Sequence, residues 1–128
     1  MKKIFYFIPA ALYYSLIFLV SSKNYKVPTT IYPFDKLVHM IEFSVLAVFL
    51  FFGFSKGLKN TLLAKISVTL LAGALFAVAD EIHQRFVPGR DPDILDVLAD
   101  VGGIIIGIAF YWLISRGVKL KIYTKISR

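Results

Sequence analysis

The 128-residue chain contains no cysteine. That absence excludes a disulfide framework and a thiolate metal site, and it leaves the redox compartment unread. Charge is scarce too: Asp, Glu, Lys and Arg make up only 18% of the residues, against roughly a quarter in an ordinary soluble domain. Acid is the scarcer sign, with 8 carboxylates against 15 Lys and Arg and a net charge of +7. No serine stands in a recognisable nucleophile setting, and no hydrolase motif is present. No basic patch with interleaved aromatics forms a folded nucleic-acid surface, which argues against nucleic acid as a partner. Neither an internal repeat nor a low-complexity tract divides the chain, so residues 1–128 read as one domain.

Apolar residues take the space that charge leaves. The chain is 58% hydrophobic and 16% aromatic, with a mean hydropathy of +0.73. Several apolar runs reach roughly 18 residues, the length that crosses a bilayer. The composition therefore predicts an all-α integral membrane protein, a four-helix bundle with helices at about 4–21, 36–54, 62–86 and 92–114. The first run follows a short basic start and could be taken for a signal peptide. It is longer than a usual signal core, carries Tyr6, Tyr13 and Tyr14, and lacks an Ala-x-Ala site, so an uncleaved helix is expected. Residues 23–34, with Pro28 and Pro33, read as an extended loop, and Asp35 sits where an N-cap belongs. Pro88-Gly89 stops the third helix, and Asp91-Pro92 is expected to cap the fourth. Residues 116–128 read as a basic amphiphilic tail on the membrane surface.

The basic residues orient the bundle. Lys2 and Lys3, the connection with Lys56, Lys59 and Lys65, and the tail carry no acid at all. All the carboxylates fall in or near the two other loops. The positive-inside rule then predicts both termini in the cytoplasm of a bacterial plasma membrane and a polar face on the extracytoplasmic side.

That face carries three polar stripes. Asp35, His39 and Glu42 share one face of the second helix at i, i+4, i+7. Glu42, roughly 10 Å below Asp35 along the axis, is an ionisable group inside a span and should face the bundle interior with a partner. On the third helix Asp80 and Gln84 share a face, whereas Glu81 and His83 point elsewhere; Glu81 could pair with Arg85, and His83 suits the membrane interface. On the fourth helix Asp96 lies where the dipole favours a negative charge, while Asp100 lies deeper and needs a partner. Gly103 and Gly107 form a GxxxG pattern suited to close helix packing. Arg90, in the turn, is the expected counter-charge, able to hold a bundle carboxylate or an external phosphate.

These residues resemble those of the VanZ-like family of small bacterial membrane proteins. The resemblance lies in Asp35-Lys36-x-x-His39-x-x-x-Phe43, then Asp80-Glu81-x-x-Gln84-x-Phe86-x-Pro88-Gly89-Arg90, then Asp96-x-x-x-Asp100-x-x-Gly103-x-x-x-Gly107. It covers the second to fourth helices and departs at Asp100, where relatives often carry asparagine. It implies a role in envelope physiology, the family being named for a protein linked to teicoplanin resistance.

Two functions are compatible with these residues. In the first, the polar pocket binds a membrane lipid or a lipid-linked envelope precursor by its headgroup. Arg90, Lys36 and Arg85 hold the anion, and Asp35, Glu42, Gln84, Asp96 and Asp100 complete the site. In the second, the protein is a membrane enzyme acting on such a headgroup. His39 serves as acid or base, because an unperturbed imidazole titrates closest to neutral pH. Asp80, Glu81 and Asp96 orient it or hold a divalent metal, with oxygen-rich donors suiting magnesium, manganese or calcium better than zinc. A transporter is disfavoured, since four short helices contain no discontinuous pair. Oligomerisation stays open.

Overall fold

The computed structural model describes residues 3–23 and 32–126, with side chains over 3–23 and 34–118. Among them every regular element is helical. A 3-10 turn, Lys3–Phe7, leads into α1 (Ile8–Ser21), followed by α2 (Tyr32–Gly57), α3 (Leu62–Gln84) and α4 (Ile94–Ile126). Four segments are long and apolar enough to cross a membrane: Lys3–Ser21, Phe34–Gly57, Leu62–Gln84 and Ile94–Val118. Leu12, Leu16, Leu71, Leu75, Ile105 and Phe110 are all exposed along them. Water would not tolerate so many apolar side chains on every helix, but hydrocarbon does.

Helix α2 is the hub. It packs against all three other helices, most extensively against α4. Two glycines make that contact possible. A Cβ on Gly103 would collide with the Met40 carbonyl, and one on Gly107 with the Ser44 carbonyl and the Ala47 methyl group. The expected packing role of the GxxxG pattern is therefore met, with backbone against backbone. Phe43, Leu46, Ala47, Ala77 and Ile104 fill the centre at 0% exposure. Helix α1 lies across α2 and α3, with its start against the end of α2, where Phe7 meets Phe54 edge-on at 4.9 Å. Tyr14 stacks near Phe76 at 4.3 Å, and its hydroxyl donates to the Phe76 carbonyl at 3.3 Å.

Several expected boundaries shift. Helix α2 begins at Tyr32, so Asp35 stands in its first turn and is not its cap. Pro33 does not block this, because a first-turn residue needs no amide. The loop around Pro28 lies outside the described residues. Helix α3 ends at Gln84, with the Arg85 amide closing onto the Glu81 carbonyl at 3.2 Å. The turn that follows is tightened by Val87 N–H to Gln84 and Arg90 N–H to Val87, and Gly89 supplies φ 83°. Helix α4 is capped by Asp93 instead of Asp91: its Oδ1 accepts the Leu95 amide at 2.9 Å. The same helix runs on through Gly117 to Ile126, where a surface tail was expected from Arg116. Nothing in that stretch breaks a helix, since it has no proline and a lone interior glycine costs only about 1 kcal/mol.

Candidate functional site

Each helix delivers polar side chains to one end of the bundle. Ser21 closes α1, Lys36 and His39 open α2, Asp80, Glu81 and Gln84 close α3, and Asp96 and Asp100 open α4. Seven of these are buried: Ser21, His39, Asp80, Glu81, Gln84, Asp96 and Asp100. Ionisable groups enter such a position only where the bundle interior receives them, so the local apolar pattern alone does not account for the cluster.

His39 is its centre. Its Nδ1 lies 3.1 Å from Asp100 Oδ1, an arrangement in which the ring N–H donates to the carboxylate. The other nitrogen, Nε2, then turns toward Asp96, with Oδ2 at 3.9 Å. Two triads gather around the ring. His39, Asp80 and Glu81 each offer a donor atom within 4.8 Å of the others, and so do Asp35, His39 and Asp96.

Lys36 balances the opening of the cluster. Its ammonium bonds Asp93 at 2.7 Å and Asp96 more closely still, with Asp35 at 3.9 Å. Its charge is therefore shared among three carboxylates inside the protein. Arg90 is held differently. Its Nη1 donates to Gln84 Oε1 at 3.0 Å, Gln84 Nε2 donates to Asp80 Oδ2 at 2.7 Å, and Ser21 Oγ donates to the same oxygen at 3.1 Å. Gln84 thus relays between guanidinium and carboxylate, its amide oriented by the charge on each side. Arg90 forms no ion pair among the described residues.

Four buried polar atoms have no hydrogen-bond partner among the described residues: Asp80 Oδ1, Glu81 Oε1, Asp100 Oδ2 and Arg90 Nε. Each would cost about 1–3 kcal/mol if left so. Three are acceptors and one is a donor. Of these residues Glu81 also borders a groove of about 440 Å³ that runs between the end of α3 and the start of α4. Val78, Ile82, Ile94 and Val97 line it, and Glu81 and Arg85 border it.

The residues that sequence spacing singles out mostly converge: Asp35, Lys36, His39, Asp80, Gln84, Arg90, Asp96 and Asp100 share this end. Glu81 requires a correction, because it does not point elsewhere. It is buried, its Oε2 accepts the Asp93 amide at 2.9 Å, and no ion pair with Arg85 forms among the described residues. The last turn of α3 faces the start of α4, and the loop amide there needs an acceptor. Glu42 is half-buried one turn below His39 but makes no hydrogen bond or ion pair among the described residues. His83 does not simply face headgroups or water; it stacks on Phe18 at 3.9 Å and meets Ser22 Oγ at 2.8 Å, fastening α1 to α3. Asp93 and Ser21 escape sequence reasoning. Asp93 is overlooked because Asp91-Pro92 looks like the better cap. Ser21 carries no local signal, since its partner lies 59 residues away.

The fold and this buried cluster define a four-span helical membrane protein with a polar site at one set of helix ends. The VanZ/LLP1 family model matches residues 1–115, and the chain belongs to that family. No curated protein and no solved structure matches the chain.

Proposed function

We propose that this VanZ-type membrane protein binds the headgroup of a membrane lipid or lipid-linked envelope precursor at the acidic end of its bundle, on the extracytoplasmic side of the plasma membrane. The reading rests on the four buried atoms of Asp80, Glu81, Asp100 and Arg90 that lack a partner among the described residues. A ligand that completes them must bring donors for three carboxylate oxygens and an acceptor for Arg90. A phosphate carrying hydroxyl, amino or sugar groups does both. The adjoining groove supports delivery from the lipid phase, because its apolar walls suit a chain and its polar rim is Glu81 and Arg85. Lys36, already shared among Asp35, Asp93 and Asp96, sets the shape of the site and does not supply the anion contact. By this route the protein would influence envelope physiology, glycopeptide susceptibility included.

The test is the lipid that accompanies the protein through mild detergent purification. Mass spectrometry should find one headgroup class enriched on the wild type and lost from Arg90→Ala. A lipid profile identical in both, matching the bulk membrane, would overturn the reading.

The triad of His39, Asp80 and Glu81 favours a second reading, a metal-assisted enzyme on the same headgroup. Its oxygen-rich donor set fits magnesium, manganese or calcium, which would supply Lewis-acid chemistry when bound. Asp100 would hold the His39 ring so that Nε2 faces the reacting end. Metal analysis of wild type and Asp80→Asn decides it: no divalent ion in either excludes this version. A His39→Gln variant that keeps full activity in a lipid-turnover or antibiotic-susceptibility assay excludes proton transfer at that ring.

A further inference from the structure

The opposite end of the bundle holds a second cavity, of about 500 Å³, between the end of α2, the start of α3 and α4. Lys56, Lys65 and Arg116 border it together with the Ser55 and Ser115 hydroxyls and Trp112. Every acid in the chain lies elsewhere: Asp35, Glu42, Asp80, Glu81, Asp91, Asp93, Asp96 and Asp100 contribute nothing to its walls. None of the three cations forms an ion pair with a carboxylate among the described residues. Arg116 lies over the Trp112 ring at 4.5 Å, which holds the guanidinium in place and leaves its N–H edges available.

The positive-inside rule accounts for basic residues at this end of the bundle, but not for three of them bordering one concavity, where like charges repel. An anion removes the repulsion. The start of α3 adds to this field, since Leu62, its first residue, also lines the cavity and a helix N-terminus favours negative charge. Phe51 and Leu62 supply apolar wall on the same cavity. The location, at the water-facing ends of three spans, is where lipid phosphates lie.

We propose that this basic cavity is a phosphate site for an anionic headgroup, with Lys56, Lys65 and Arg116 as its charge contacts and Ser55 as a hydroxyl donor, the Ser115 hydroxyl already donating to the Trp112 carbonyl at 2.9 Å. It is separate from the acidic-end site and does not depend on the function proposed there. The phosphate comes either from an anionic phospholipid or from free inorganic phosphate, and the two are separable by experiment.

Trp112 is the only tryptophan in the chain, so its fluorescence reports this cavity alone. Detergent-solubilised protein is titrated with short-chain phosphatidylglycerol, short-chain phosphatidylcholine and inorganic phosphate, and lipid retention is followed in parallel by native mass spectrometry. Phosphatidylglycerol should give a saturable response or preferential retention. Lys56→Gln, Lys65→Gln and Arg116→Gln should each weaken it roughly fivefold, the worth of one basic residue at a lipid surface. Inorganic phosphate reproducing the effect, weakened by the same variants, assigns the free anion as ligand. Equal binding of phosphatidylcholine, or variants that bind like the wild type, overturns the site. So does a silent Trp112 without preferential retention. These substitutions remove repulsion, so folding should persist, and an unchanged unfolding midpoint verifies it.

Discussion

Asp100 is wholly buried in a span and gives His39 its hydrogen bond at 3.1 Å. Removing the acceptor leaves a buried ring N–H unsatisfied. Asp100→Ala should therefore destabilise the bundle by about 1–3 kcal/mol. Asp100→Asn should lose less than about 1 kcal/mol, because its side-chain carbonyl can still accept from Nδ1–H. Unfolding midpoints in detergent measure both. Equal losses would show that charge, and not the hydrogen bond, is what the position supplies. The comparison bears directly on the departure from the family pattern at this residue: an asparagine can hold the histidine, but it brings neither the same negative charge nor the same unpaired carboxylate oxygen.

Among the elements, the α2–α4 seam is the most sensitive. Alanine at Gly103 would thrust a methyl group into the Met40 carbonyl, and backbone cannot move aside as a side-chain tip can. Gly103→Ala and Gly107→Ala should each cost about 1–3 kcal/mol or more, as overpacking does. Gly117 is the internal control. Among the described residues a Cβ there meets nothing within 4 Å, so Gly117→Ala should be neutral or stabilise α4 by up to about 1 kcal/mol. Both sets are read from unfolding midpoints and from the monodisperse fraction on gel filtration. The GxxxG spacing announces this seam in the sequence, but it does not say which helix fills it. The same holds for Glu81, whose spacing points away from Asp80 and whose burial depends on where the start of α4 lies.

Across the whole molecule, charge is sorted by end. The eight acids sit on one half and the cavity of Lys56, Lys65 and Arg116 on the other. The positive-inside rule predicts a cytoplasmic basic end. With no native cysteine, single Asp91→Cys and Lys59→Cys variants report this cleanly. A membrane-impermeant maleimide applied to intact cells should label Asp91→Cys and leave Lys59→Cys untouched until the membrane is opened. The reverse pattern would invert the orientation and move the acidic-end site to the cytoplasm.

Sequence alone determined the number of spans, the helix class and the sorting of charge, because each follows from local composition against the thickness and dielectric of a bilayer. It also identified most of the cluster, since i, i+4 spacing puts carboxylates on one stripe. Only the tertiary structure decided which groups meet. Lys36 reaches Asp93, Ser21 reaches Asp80 and Arg90 addresses Asp80 through Gln84; two of these contacts cross between helices, and the third is set by the turn after α3. Interhelical distance, crossing and rotation set such contacts, and no local pattern encodes them.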